Sequence, residues 1–183
     1  MTLSLRRFLG LAALLALVLT GCGSAAGSHN DADVAFATGM VPHHRQAVQM
    51  SEVLLAKTGV DPDVVALATK IKAEQAPEIE QMNGWLSSWG APAATGGAGD
   101  MGGMDGMGGG MMTPQQMEAL ASAEGREAQT LFLQGMTAHH QGAVAMASTE
   151  LAQGENQDAK ALAQSIVTSQ QAEIDQMAQL LQR

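Results

Sequence analysis

The sequence predicts an all-α protein: a four-helix bundle assembled from two copies of one helical hairpin. Three observations carry this. Residues 36–50 (FATGMVPHHRQAVQM) recur 96 positions later as residues 132–146 (FLQGMTAHHQGAVAM), with Phe, Gly, Met, both His, Ala, Val and Met in register. Ile71, Gln75, Glu78, Ile79, Gln81 and Met82 recur at an offset of 95 as Ile166, Gln170, Glu173, Ile174, Gln176 and Met177. No stretch shows the period-two alternation or β-branched enrichment of a strand. One amphipathic hairpin cannot bury its own apolar stripe, whereas two facing each other can.

The chain opens with Arg6 and Arg7 and a 12-residue apolar run, residues 8–19. That is too short for the roughly 20 residues of a membrane-spanning helix and reads as a signal peptide over residues 1–21. Leu19-Thr20-Gly21-Cys22 resembles a bacterial lipobox, which implies cleavage before Cys22 and lipidation of its sulfur. Residues 22–30 then form a short tether. The first hairpin spans residues 31–90. Its first helix runs from residue 31 to about 58 and stops at Gly59. Its second opens with Asp61-Pro62, an N-cap followed by proline at the first helical position, and ends at Gly90. Pro42 and Pro77 stand where the second copy has Ala138 and Ala172, and Pro42 should kink the first helix just ahead of its histidines. Residues 91–112 are a Met/Gly-rich segment without the composition of a core or a regular helix, and so a flexible loop. The second hairpin spans residues 113–183. Thr113-Pro114-Gln115-Gln116 fits a capping box, Gly125 is a point where its first helix can break, and its last helix starts near Asn156. Tyrosine is absent and aromatics are 3% of the chain, so the core must be aliphatic and Met side chains with Phe36, Phe132 and Trp85.

Without Arg6 and Arg7 the chain carries 7 basic and 18 acidic residues, a formal charge of −11. That opposes nucleic acid and anionic membrane surfaces as partners and mildly favours cations. Cys22 is the single cysteine. Once lipidated, it leaves the protein neither a disulfide nor a thiolate ligand.

Four of the five histidines lie in the repeated pairs His43-His44 and His139-His140. On a helix, Met136, His139, His140 and Ala143 share a face at i, i+3, i+4 and i+7, with Met146 at its edge. Met40, His43, His44, Ala47 and Met50 repeat that pattern. Imidazole and thioether together suit copper better than magnesium or calcium. The candidate metal ligands are therefore His43, His44, His139, His140, Met40, Met136, Met50 and Met146. Gln75, Glu78, Gln170 and Glu173 lie near the stripes of the partner helices and could orient the rings, as carboxylates commonly do for ligating histidines. A plainer reading makes the histidines a hydrogen-bonded polar core and the methionines packing. In the loop, Met101, Met104 and Met107 are spaced MxxMxxM, followed by Met111 and Met112. Thioether binds without deprotonation, so this array suits capture of Cu(I) or Ag(I) outside the cytoplasm; the plainer alternatives are a spacer or a sacrificial oxidation site.

The second copy, FLxGMxxHHxGAxxMA over residues 132–147 followed by IxxxQxxEIxxM over residues 166–177, resembles a family of exported bacterial proteins classed as a domain of unknown function (number 305). The first copy is looser, departing at Pro42, Arg45-Gln46 and Pro77. The resemblance implies a ferritin-like four-helix bundle and, since some members are implicated in extracytoplasmic copper binding or resistance, a copper role. Di-iron enzymes of the wider ferritin-like class need Glu-x-x-His on two helices, a motif absent here.

These readings lead to a metal-binding protein rather than an enzyme: a Cu(I) or Ag(I) chaperone, buffer or resistance factor, lipid-anchored to the cell membrane, or to the outer membrane in a Gram-negative organism. The alternatives are a structural lipoprotein whose His pairs organise a polar core, and a copper-dependent metal oxidase.

Overall fold

The computed structural model describes residues 27–94 and 109–183; the expected signal peptide, Cys22, Met101, Met104 and Met107 lie outside the described residues. The elements are α1 (Asp31–Leu55), α2 (Pro62–Ser88), α3 (Pro114–Ser122), α4 (Gly125–Gln153) and α5 (Gln157–Leu180), with no strand among the described residues. The third stretch divides at Gly125, leaving α3 as a short helix beside the four long ones. None of the described helices is long and apolar enough to cross a membrane.

Local signals set most boundaries. Asn30 caps α1 in a reciprocal box with Asp33, and Thr113 and Gln116 do the same for α3. Asp61 and Asn156 cap α2 and α5. α2 ends in a Schellman turn: Ala91 N–H reaches the Leu86 carbonyl and Gly90 N–H reaches Ser87, with Gly90 at φ +67°. α1 ends at Leu55, three residues earlier than the sequence suggests. Both α1 and α2 continue through their prolines as single elements.

α1 packs on α2, α4 packs on α5, and α1 and α4 join the two hairpins, while α2 and α5 barely meet. The core falls into two apolar clusters. One joins the C-terminal half of α1 to the N-terminal halves of α2 and α4, around Leu54, Leu67 and Phe132. The other joins the N-terminal half of α1 to the C-terminal halves of α2 and α4 and the N-terminal half of α5, around Phe36, Ile79 and Ile166. Phe36 and Phe132 are buried as the sequence suggests, whereas Trp85 is only half-buried.

A second joint ties the hairpins at one end. The Asp33 carboxylate of α1 accepts the backbone N–H groups of Asn30 (2.7 Å), Asn156 (2.9 Å) and Glu155 (3.2 Å), so it anchors the α4–α5 turn. Burial works against its charge, but these N–H groups outweigh it and hold the carboxyl below its usual value.

Candidate metal centre

Between the two apolar clusters lies a buried polar layer, supplied by the middle of each long helix: His43 and His44 from α1, Gln75 from α2, His139 and His140 from α4, and Gln170 and Glu173 from α5. Adjacent residues on a helix diverge by about 100°. α1 is flanked by α2 and α4, so the two histidines of its pair reach different neighbours. α4, between α1 and α5, divides its pair the same way.

The outer histidine of each pair meets a carboxylate within its own hairpin. His44 Nε2 donates to Glu78 Oε2 at 2.7 Å, and His140 Nε2 donates to Glu173 Oε2 at 2.7 Å. A carboxylate can only accept, so each Nε2 carries the proton and each Nδ1 is left with a lone pair in the neutral ring. Neither Nδ1 has a hydrogen-bond partner. Glu173 also accepts from Lys70 Nζ of α2 at 2.8 Å, which bridges the thin α2–α5 seam. Burial opposes the charge of Glu173, but His140 and Lys70 hold its carboxyl below the usual range. Glu78 has no cation of this kind among the described residues and is partly exposed.

The inner histidines meet each other. The rings of His43 and His139 lie with centroids 3.7 Å apart and planes at 41°. His43 is 1% exposed and His139 is 0% exposed. His43 Nε2 contacts the Gly109 carbonyl at 3.4 Å, leaving Nδ1 unpartnered, and neither nitrogen of His139 has any partner. Burial, and then the neighbouring His44, push His43 down to about 3; burial, and then His43, push His139 well down. Both rings are thus neutral at physiological pH, with lone pairs available. A buried imidazole N–H without an acceptor costs about 1–3 kcal/mol, and such a group calls for an explanation. An ion held by these ring nitrogens would supply one.

The remaining candidates fall out unevenly. Met40 and Met136, one turn before the histidines on α1 and α4, are fully buried, Met40 in one apolar cluster and Met136 in the other. Met50 is a core side chain beside Leu54. Met146 is half-buried and lines a cavity of about 250 Å³ with Phe36, Gly109, Gly142 and Glu150. Gln75 and Gln170 are buried, but neither bonds a histidine. The loop reading needs correction at its C-terminal end: Met112 is 5% exposed and packs in the core, held because its N–H and carbonyl both bond the Gln46 side chain. Met111 beside it is half-buried. Among the described residues, no three His, Cys, Asp or Glu side chains cluster closely enough to hold a metal ion. Any site here therefore rests on the inner pair with softer or ring-flanking ligands, not on a carboxylate cage.

Sequence reasoning missed Lys70, Arg45, Gln46 and the burial of Glu150 near Asp33. Arg45 and Gln46 had a visible signal, since they break the repeat directly after His43-His44.

The model of the domain of unknown function DUF305 matches residues 33–181. The chain belongs to that family. A DUF305 protein from Streptomyces coelicolor, classed as secreted, is 39% identical, with TM-score 0.73 over 82% of this chain and 91% of that one. A DUF305 fragment from Deinococcus radiodurans is 30% identical, with TM-score 0.74 over 84% and 97%. CopM in its Cu(I)-bound form is 33% identical, with TM-score 0.66 over 82% and 95%. CopM has also been crystallised in Cu(II)-bound and Ag-bound forms. No curated protein matches the chain.

Proposed function

We propose that this protein is an extracytoplasmic, membrane-tethered binding protein for Cu(I) or Ag(I), and that His43 and His139 hold the ion. The observation that carries this reading is His139: fully buried, neutral, without a partner on either nitrogen, and in ring contact with its repeat-mate His43. His44 and His140 play a different part. Each is fixed by a carboxylate, which sets its tautomer and leaves Nδ1 with a buried, unpartnered lone pair. Met40 and Met136 supply thioethers one turn away on the same helices, a soft complement to imidazole. The copper- and silver-bound forms of CopM support the choice of ion. The secreted class of the Streptomyces relative supports a location outside the cytoplasm, and the lipobox-like run ending at Cys22 supports a lipid anchor there. The role we read from this is that of a chaperone, buffer or resistance factor.

The test is anaerobic titration of Cu(I) against a competing chelator. The native protein should bind tightly. His43→Ala with His139→Ala should abolish that binding, and His44→Ala with His140→Ala should weaken it. Equal affinity in the native protein and the inner-pair variant would remove the histidines from the site.

A further inference from the structure

The two residues that break the internal repeat directly after His43-His44 are engaged at the two ends of the Met/Gly-rich segment. Arg45 NH1 donates to the Ala94 carbonyl at 2.9 Å. Gln46 is 2% exposed, and its amide donates to the Met112 carbonyl at 2.9 Å and accepts from the Met112 N–H at 2.7 Å. Residues 109–112 then lie as a strap across α4 at the level of the inner histidines. Gly110 takes φ +90°, and a side chain there would collide with the Ala138 carbonyl. A methyl on Gly142 would collide with the Gly109 carbonyl and come within 3.3 Å of His43 Nε2, and one on Gly135 would lie 2.8 Å from Met112 Sδ. Gln46 and Gly142 occupy the same position of the repeat, 96 residues apart. In one copy the position carries a fastener; in the other it is bare so that the strap can approach.

The cavity lined by Phe36, Met146 and Glu150 also has Gly109 and Gly142 in its wall. Both also lie beside His43 Nε2. A half-buried thioether thus lies in a cavity that reaches the strap, and the histidine pair lies behind the strap.

We propose that Gln46 and Gly142 are positioning residues for the metal site: they seat residues 109–112 as its cover, and the ion exchanges through the Met146 cavity when the Gln46–Met112 fastening opens. This rests on the metal reading above. The fastening is two buried hydrogen bonds and a thioether contact rather than a covalent or fully enclosed closure, so it can open locally without unfolding the bundle.

The test uses the full protein with Ag(I) as the probe, following uptake and release by rapid mixing, and follows hydrogen exchange of the Met112 amide. In Gln46→Leu and Gly142→Ala the amide should lose its protection. Uptake and release should both rise by about tenfold, the change that one buried hydrogen bond brings, while the equilibrium affinity moves much less. Native rates in variants whose Met112 amide exchanges freely would overturn the cover. If the native protein shows no histidine-dependent Ag(I) binding, the metal reading falls and the cover falls with it. Unchanged rates alongside intact histidine-dependent binding would sink only the cover.

Discussion

His43 and His139 occupy the same position in the two halves of the internal repeat, and their rings touch, with centroids 3.7 Å apart. Equivalent residues of two similar hairpins meet where the relation between the halves places them on its axis. Here that point is the α1–α4 contact, the extensive one between the long helices of the two hairpins among the described residues. The internal repeat thus brings one histidine from each half to a common point. His44 and His140, one residue further along, turn outward to their own hairpins and pair with Glu78 and Glu173.

This division gives opposite expectations for stability without metal. His139→Leu removes a buried ring whose nitrogens have no partner, so it should leave the fold as stable or raise it by about 1 kcal/mol. His140→Leu strips Glu173, which is 2% exposed, of its closest partner and should cost about 2–4 kcal/mol, moderated by Lys70. Urea unfolding midpoints of the two variants check this. Equal losses would make all four histidines one structural network.

Buried titratable groups at one end and in the middle of the bundle should make stability depend on pH from both sides. Glu150 is buried next to Asp33 and under Gly154, with Lys160 near; burial first, and contact with Asp33 second, push it up to about 8. A raised carboxyl gives stability that is full below its unfolded value of 4.5 and is lost as pH rises through about 8. His43 and His139 act in the opposite sense. Their lowered values give stability that is present above the unfolded value of 6.5 and is lost as pH falls. Metal-free protein should be most stable near about pH 6. Glu150→Gln should flatten the alkaline limb in a thermal series while leaving the acid limb alone. An unchanged alkaline limb would contradict the shift.

The Met/Gly-rich segment should split into two functional parts. Deleting residues 96–107 removes Met101, Met104 and Met107 while keeping the strap, and should lower Cu(I) capacity with no loss of helicity. Extending the deletion to residue 112 takes away both partners of Gln46 and a core side chain, and should cost a further 2–4 kcal/mol or so. Metal counts and circular dichroism melting on the two deletions separate these effects.

Lipidation is testable independently of the site. Cys22→Ser should move the protein from the membrane fraction to the soluble one. Continued membrane association would leave the tether without its anchor.

The repeat made the helix order and the equivalence of the two His pairs legible, because periodicity and spacing are local properties. Cap residues announced two of the helix starts, those of α2 and α3, whereas the caps Asn30 and Asn156 emerge only in the structure. What was not legible depended on how the helices cross. Adjacent histidines look alike in sequence, and only the neighbours of α1 and α4 decide which pair faces inward. Gln75 and Gln170 have suitable spacing, yet it is Glu78 and Glu173, one turn on, that reach the rings. Met112 looks like loop until Gln46, 66 positions away, is seen to hold its backbone. Asp33 and Glu150 belong to opposite hairpins, and no local pattern joins them.

The central claim is that one ion is held at the His43–His139 pair. Anomalous diffraction from crystals of the Cu(I)-loaded protein, measured across the copper absorption edge, locates the ion directly. The expected result is a copper peak within bonding distance of a nitrogen of His43 and a nitrogen of His139. Copper found only on surface residues or loop methionines, with the inner rings still in contact, would contradict the account.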